Sequence, residues 1–152
     1  MKYITINADN LNLKISEFHG LSYNNFKLKY HDNHIEDHCK GIKNCVVRIW
    51  GLKDYSDPRK KTVGGIIVQE NPVRFIPKDI NIDAKILMFY IDNDYRGKGF
   101  GRKLLNIPLK MYKNVCLTTD SQTSDEAKSL YTKSGFKSLG TIKGINKWLR
   151  TK

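Results

Sequence analysis

Cysteine is scarce in this 152-residue chain. Cys39, Cys45 and Cys116 are an odd number without Cys-x-x-Cys spacing, so they read as reduced thiols of a cytoplasmic protein rather than a disulfide framework. Cys116 lies in an apolar run and reads as core. Long apolar stretches are also missing. None approaches the ~20 residues needed to span a bilayer, so no membrane association is expected. The stretch Met1-Lys2-Tyr3-Ile4-Thr5-Ile6-Asn7 has neither a long apolar segment nor a small-residue cleavage site, which predicts no secretion signal. No internal repeat, low-complexity tract or linker divides the chain, and its length suits one domain over 1–152. Acidic residues are few as well. Asp and Glu number 15 against 27 Lys and Arg, for a net charge of +12. That balance favours anionic partners and disfavours polycationic ones, although A+T-rich coding would produce the same lysine bias.

What is present concentrates between Lys85 and Leu105. The run Lys85-Ile86-Leu87-Met88-Phe89-Tyr90-Ile91 reads as a buried strand. Asp92-Asn93-Asp94-Tyr95-Arg96-Gly97-Lys98-Gly99 reads as a polar, glycine-rich turn, and Phe100-Gly101-Arg102-Lys103-Leu104-Leu105 as the start of a helix. The first N–H groups of a helix lack partners, and its dipole adds positive potential, so such a turn suits a phosphate. Gly97, Gly99 and Gly101 remove side chains that would hold the phosphate off. A nucleotide P-loop requires Gly-Lys followed by Ser or Thr, whereas Gly97-Lys98 is followed by Gly99. A dinucleotide fingerprint requires glycine where Arg102 stands.

Arg96-Gly97-Lys98-Gly99-Phe100-Gly101 instead resembles the (Gln/Arg)-x-x-Gly-x-(Gly/Ala) signature of the GNAT superfamily of acyl-CoA-dependent N-acyltransferases. A second segment agrees. In Ser124-Asp125-Glu126-Ala127-Lys128-Ser129-Leu130-Tyr131-Thr132-Lys133-Ser134-Gly135-Phe136, Ser124 can cap a helix whose positive first turn suits Asp125 and Glu126. Ala127, Leu130 and Tyr131 share one face, and Gly135 can end the helix in a left-handed cap. This segment resembles the family's second signature, Asn-x-x-Ala-x-x-Leu-Tyr followed by Gly-Phe, with Ser124 standing where the family usually has a cofactor-touching Asn. The resemblance covers about Lys85 to Gly140.

The resemblance implies an α+β GNAT fold, with a mixed, mostly antiparallel central sheet flanked by helices and splayed at the fourth strand. It implies acetyl-CoA as cosubstrate, with no metal, and direct transfer of the acetyl group to an amine. Arg96, Gly97, Lys98, Gly99, Phe100, Gly101 and Arg102 would surround the pyrophosphate. The Ile91 N–H would contact the acyl or pantetheine end, and Ser124 can replace the Asn contact. Tyr131 would protonate the departing CoA thiolate.

Along the rest of the chain, residues 2–18 alternate loosely and predict a first strand, interrupted at Asn10 and Asn12. Residues 22–39 predict one or two helices. Residues 44–52 and 62–70 predict a hairpin around a basic loop, with Gly64-Gly65 marking a bulge or a close approach. The link 71–83, with Pro72 and Pro77, could wall an acceptor site. A helix is expected over 99–112, a strand over 115–119, and two strands around Lys143-Gly144, with Trp148 and Leu149 in the core. Glu70, Asp83 and Asp92 end or precede strands and are read as loop carboxylates rather than a general base. His31, His34 and His38 read as polar helix surface, since the H-E-x-x-H pattern is missing. The acceptor is left open: a small molecule, a protein amine or an amine carried by aminoacyl-tRNA. The basic charge keeps nucleic acid open as a partner, so the alternative is a non-catalytic GNAT-like module binding CoA or nucleic acid. Monomer and homodimer are both compatible with the sequence.

Overall fold

The computed structural model describes residues 4–8, 11–18, 46–72 and 80–151. The helices expected over 22–39, the three histidines discussed above, Cys39, Cys45 and the middle of the 71–83 link lie outside the described residues.

Among the described residues eight strands form one sheet: β1 (Ile4–Ala8), β2 (Leu11–Phe18), β3 (Val47–Asp54), β4 (Thr62–Glu70), β5 (Ala84–Ile91), β6 (Val115–Thr119), β7 (Lys137–Ile142) and β8 (Ile145–Arg150). Helix α1 (Phe100–Met111) joins β5 to β6, and α2 (Asp125–Lys133) joins β6 to β7. The strand order is β1-β2-β3-β4-β5-β6-β8-β7. Every pairing is antiparallel except β5 with β6, which are parallel. That exception follows from connectivity, since a parallel neighbour needs a crossover, and α1 supplies it.

The single first strand expected over 2–18 is two strands. Ala8 pairs with Leu11, so the chain reverses between them. The splayed strand is therefore the fifth of the sheet rather than the fourth. The other expected elements among the described residues stand within three residues of their predicted limits, and the last two strands turn at Lys143 and Gly144, both at positive φ.

One face of the sheet carries the main core. Leu13 and Ile15 of β2, Trp50 and Leu52 of β3, Ile66 and Val68 of β4 and Ile86 of β5 pack with Phe100, Leu104, Leu105 and Leu109 of α1. The spacing of those four helical residues is what one buried stripe requires. Arg102, Lys103 and Lys110 occupy the exposed side. Trp148 and Leu149 are buried, as their sequence context indicates. Burial also drives the Cys116 thiol up to about 12, so it is a neutral core group rather than a nucleophile.

Candidate functional site

The sheet comes apart at one place. β5 pairs with β6 only from Ala84 to Ile86. Immediately afterwards the register with β4 slips. Ile67 faces Met88 and Val68 faces Ile86, which leaves Leu87 as an extra residue on β5. Such a bulge bends the strand that carries it. Bulge and separation coincide, so the second half of β5 leaves β6 while staying paired with β4 up to Gly64↔Ile91. Gly64 permits that pairing. A Cβ there would stand 2.7 Å from Ile91 Cδ1 and 2.9 Å from the Tyr90 carbonyl oxygen. The glycine pair thus marks a close approach of backbone to backbone.

The gap exposes polar backbone. The Asp92 N–H donates to the Val63 carbonyl at 2.7 Å. Strand groups alternate in direction, so the N–H groups of Ile91 and Phe89 turn away from β4, toward the side that β6 has vacated. Arg96 Nε donates to the Ile91 carbonyl from the same side at 2.7 Å. The Ile91 N–H thus lies on the edge where the sequence places a cofactor contact.

Beyond Ile91 a 3₁₀ turn (Asn93–Tyr95) leads to Gly97 and Gly99, which have φ of +75° and +84°. Nothing stands within 4 Å of a Cβ at either position, so these glycines are needed for backbone conformation in open space. Gly101 is different. A Cβ there would meet Phe89 at 3.3 Å and Leu130 at 3.6 Å, so this glycine lets α1 close on β5 and α2. Gly99 is the N-cap of α1 and offers no side chain, and the first intrahelical bond is from Lys103 N–H to the Gly99 carbonyl at 3.3 Å. The N–H groups of Phe100, Gly101 and Arg102 precede that bond and have no acceptor within the helix.

The cofactor residues expected from sequence divide by role. Gly97, Gly99, Gly101 and the main chain of Phe100 and Arg102 come together at this helix start. The Phe100 side chain is buried in the core, so only its backbone can serve a ligand. Arg96 is committed in part, with Nε on Ile91 and its guanidinium 5.1 Å from the centre of the exposed Tyr90 ring. Lys98, Arg102 and Lys103 are exposed around the turn. Ser124 is the N-cap of α2, and its Oγ accepts the Ala127 N–H at 3.1 Å. Its hydroxyl therefore has a structural partner already.

Tyr131 is 7% exposed and packs between side chains of β5 and β8. Its ring stands 6.2 Å from Phe89 on β5, 6.5 Å from Trp148 on β8 and 5.9 Å from Phe136. Trp148 pairs with Leu117 of β6. Among the described residues the Tyr131 hydroxyl donates no hydrogen bond, which is unusual for a buried phenol. Burial pushes its pKa up to about 12, so it carries its proton throughout the neutral range.

The three carboxylates considered as bases are separated. Glu70 pairs with Ala84 at the far end of β5, about 23 Å by strand rise from Ile91. It accepts the Tyr112 hydroxyl at 2.5 Å and faces Arg48 at 3.6 Å. Asp83 also stands at that end, with Oδ2 accepting the Asn114 N–H at 2.8 Å. Asp92 adjoins the glycine turn, where its carbonyl accepts the Tyr95 N–H at 2.9 Å. Among the described residues no cluster of three or more His, Cys, Asp or Glu could hold a metal, and no helix is long and apolar enough to cross a membrane.

Sequence reasoning missed the buried Asp54, which accepts the Tyr95 hydroxyl at 2.5 Å. It also missed Phe89, whose ring fills the space beside Gly101. The Gly64-Gly65 pair was the available signal that β5 bends here. Asp54 carried none, because it reads as one more polar residue of a basic loop.

Comparison with known proteins supports the same architecture. A family model described as an acetyltransferase (GNAT) domain matches residues 48–138. No curated protein sequence matches significantly. Among solved structures, Arabidopsis thaliana NAA60 in complex with a bisubstrate analogue is similar at TM-score 0.65 and 15% identity, over 90% of this chain and 95% of that one. PH1933 from Pyrococcus horikoshii OT3 is similar at TM-score 0.64 and 21% identity, over 92% and 98%. The PaiA N-acetyltransferase from Thermoplasma acidophilum in complex with coenzyme A follows at 0.56 and 18%, over 89% and 81%. The structural likenesses show the fold, the family match covers more than half of the sequence, and the chain belongs to the GNAT acetyltransferase family.

Proposed function

We propose that this protein transfers an acetyl group from acetyl-CoA directly to a primary amine, in the gap between β5 and β6. The observation that carries the reading is the bulge at Leu87. It opens the sheet and leaves the gap leading to a helix start whose backbone donors have no partner among the described residues. The main chain from Gly97 to Arg102 would receive the diphosphate. The Ile91 N–H would take a pantetheine or acyl oxygen.

In the transfer, the amine nitrogen attacks the thioester carbonyl, the C–N bond forms and the C–S bond breaks. The sulfur leaves with the bond pair. Backbone donors on the open edge of β5 stabilise charge that develops on the carbonyl oxygen, and they do so without reorganising. Tyr131 would give the leaving sulfur a proton. It is protonated at neutral pH, its hydroxyl has no described acceptor, and its ring stands against Phe89 of β5 and Trp148 of β8. The amine's proton would leave by way of water; of the three carboxylates, Glu70 and Asp83 stand at the other end of the strand, and Asp92 adjoins the glycine turn.

Incubation with acetyl-CoA and separate pools of small amines, peptides and aminoacyl-tRNA, followed by release of free thiol, tests the reading. Release with one pool identifies the acceptor class. No release with any pool, together with tight nucleic-acid binding, supports a non-catalytic module instead.

A further inference from the structure

Resting on that reading, we infer that Asp54 and Tyr95 are positioning residues for the cofactor, a buried latch that fixes the glycine turn to the β3–β4 hairpin. The turn needs such a device. From Asn93 to Gly99 every side chain is exposed except that of Tyr95. Gly97 and Gly99 sit in open space at positive φ and lose more freedom on ordering than any other residue would. A turn of this kind binds an anion well only if its backbone donors are ordered beforehand, because ordering on binding subtracts from affinity.

Among the described residues, two side-chain hydrogen bonds restrain it. Arg96 ties back to the Ile91 carbonyl from the solvent side. Tyr95 reaches inward, where its hydroxyl donates to Asp54 Oδ2 at 2.5 Å, with the two residues 8% and 4% exposed. Asp54 is itself rigidly held. Its Oδ1 accepts the Ser56 N–H at 2.8 Å, its N–H donates to the Lys61 carbonyl at 3.0 Å, and its carbonyl accepts the Asp57 N–H at 3.3 Å. The hairpin is anchored in turn to the start of β2, through Tyr55 N–H to the Asn12 carbonyl at 2.7 Å and Asn12 N–H to Ser56 Oγ at 2.8 Å. Lys61 closes the arrangement with its ammonium 5.6 Å from the Tyr95 ring centre. Rigidity therefore passes from the paired half of the sheet to a segment with few contacts of its own. Burial pushes the Asp54 carboxyl up, but hydrogen bonds from Tyr95 and Ser56 more than offset this and leave it below its ordinary value. Tyr95 is raised to about 12, first by its hydrogen bond to Asp54 and then by burial. The latch is thus intact across the neutral range.

Calorimetric titration of CoA into the wild type and three variants tests the inference. Tyr95→Phe should weaken CoA at least about tenfold, as loss of a hydrogen bond to a charged group predicts, with the kinetic change in KM rather than in turnover at saturation. Asp54→Asn can keep its oxygen on the Ser56 N–H and turn its amide N–H to Tyr95, whose hydroxyl can accept, so the tie survives with its direction reversed and CoA affinity should stay within about threefold of wild type. The double variant, Tyr95→Phe with Asp54→Asn, removes the unpaired buried charge. It should recover melting temperature while CoA affinity stays low. Wild-type affinity in folded Tyr95→Phe, or affinity that returns with stability in the double variant, overturns the latch. Failure of the wild type to bind CoA overturns the underlying reading instead.

Discussion

The two ends of β4 and β5 hold polar groups in opposite ways. At the Glu70 end, charges satisfy one another. Arg48 forms a two-pronged pair with Glu17 at 2.7 and 3.1 Å, stands 3.6 Å from Glu70 and has its guanidinium 5.0 Å from the Trp50 ring centre, while Glu70 accepts from Tyr112. At the Ile91 end, donors are brought together without partners among the described residues: the backbone edge of β5, the first N–H groups of α1 and the Tyr131 hydroxyl. Both ends are rich in residues that could do chemistry. The closed network ties β2, β3 and β4 to the end of α1, and the open one is arranged for something that arrives.

Substitutions can break or sharpen this contrast. Gly99→Asp should have the largest effect, weakening CoA about 100-fold, because a carboxylate about 5 Å from a diphosphate is repelled by ~3 kcal/mol at an effective dielectric near 20. The position has open space, and its left-handed backbone costs about 1 kcal/mol for a residue with a Cβ, so the variant should still fold. Gly101→Asp is the less informative variant, since its side chain would press on Phe89. Calorimetry with circular dichroism as the fold control measures both.

Tyr131→Phe should lower turnover at least about tenfold and leave CoA affinity nearly unchanged, as removal of an acid predicts. Unchanged turnover, with chemistry shown to be rate-limiting in stopped flow, would return Tyr131 to the core. Glu70→Gln at the closed end should keep turnover within about twofold and cost at most about 1 kcal/mol in urea unfolding, because Arg48 and Glu70 are partly solvated. A collapse of turnover would make the closed end catalytic. The smallest effect should be on the basic side of the pH profile. Tyr131, raised to about 12, stays protonated through about pH 9.5, so turnover should rise as the acceptor amine deprotonates and then level. A descending limb near pH 9 that disappears in Tyr131→Phe would mean a lower pKa in the working complex.

Much of the open end was legible in the sequence, because its chemistry rests on local pattern. Three glycines after an apolar run announce a turn and a helix start. Ala127, Leu130 and Tyr131 announce a helix face ending at Gly135-Phe136. What could not be read was long-range. Gly97 and Gly101 look alike in sequence, yet one serves a positive φ and the other a helix contact with Phe89. The bulge at Leu87 exists only in the register between β4 and β5. The Asp54–Tyr95 bond joins residues 41 positions apart. Pairing also explains the first hairpin, where one expected strand became two because β2 has β3 as a second partner.

Amide-resolved NMR titration of the isotopically labelled protein with CoA tests the central claim most directly. The account predicts shifts at the amides of Ile91 and of Gly97 through Arg102, reaching the indole of Trp148, with Arg48, Glu70 and Asp83 unmoved. Saturating CoA that leaves the glycine turn unshifted, or shifts that gather at the Glu70 end, would contradict it.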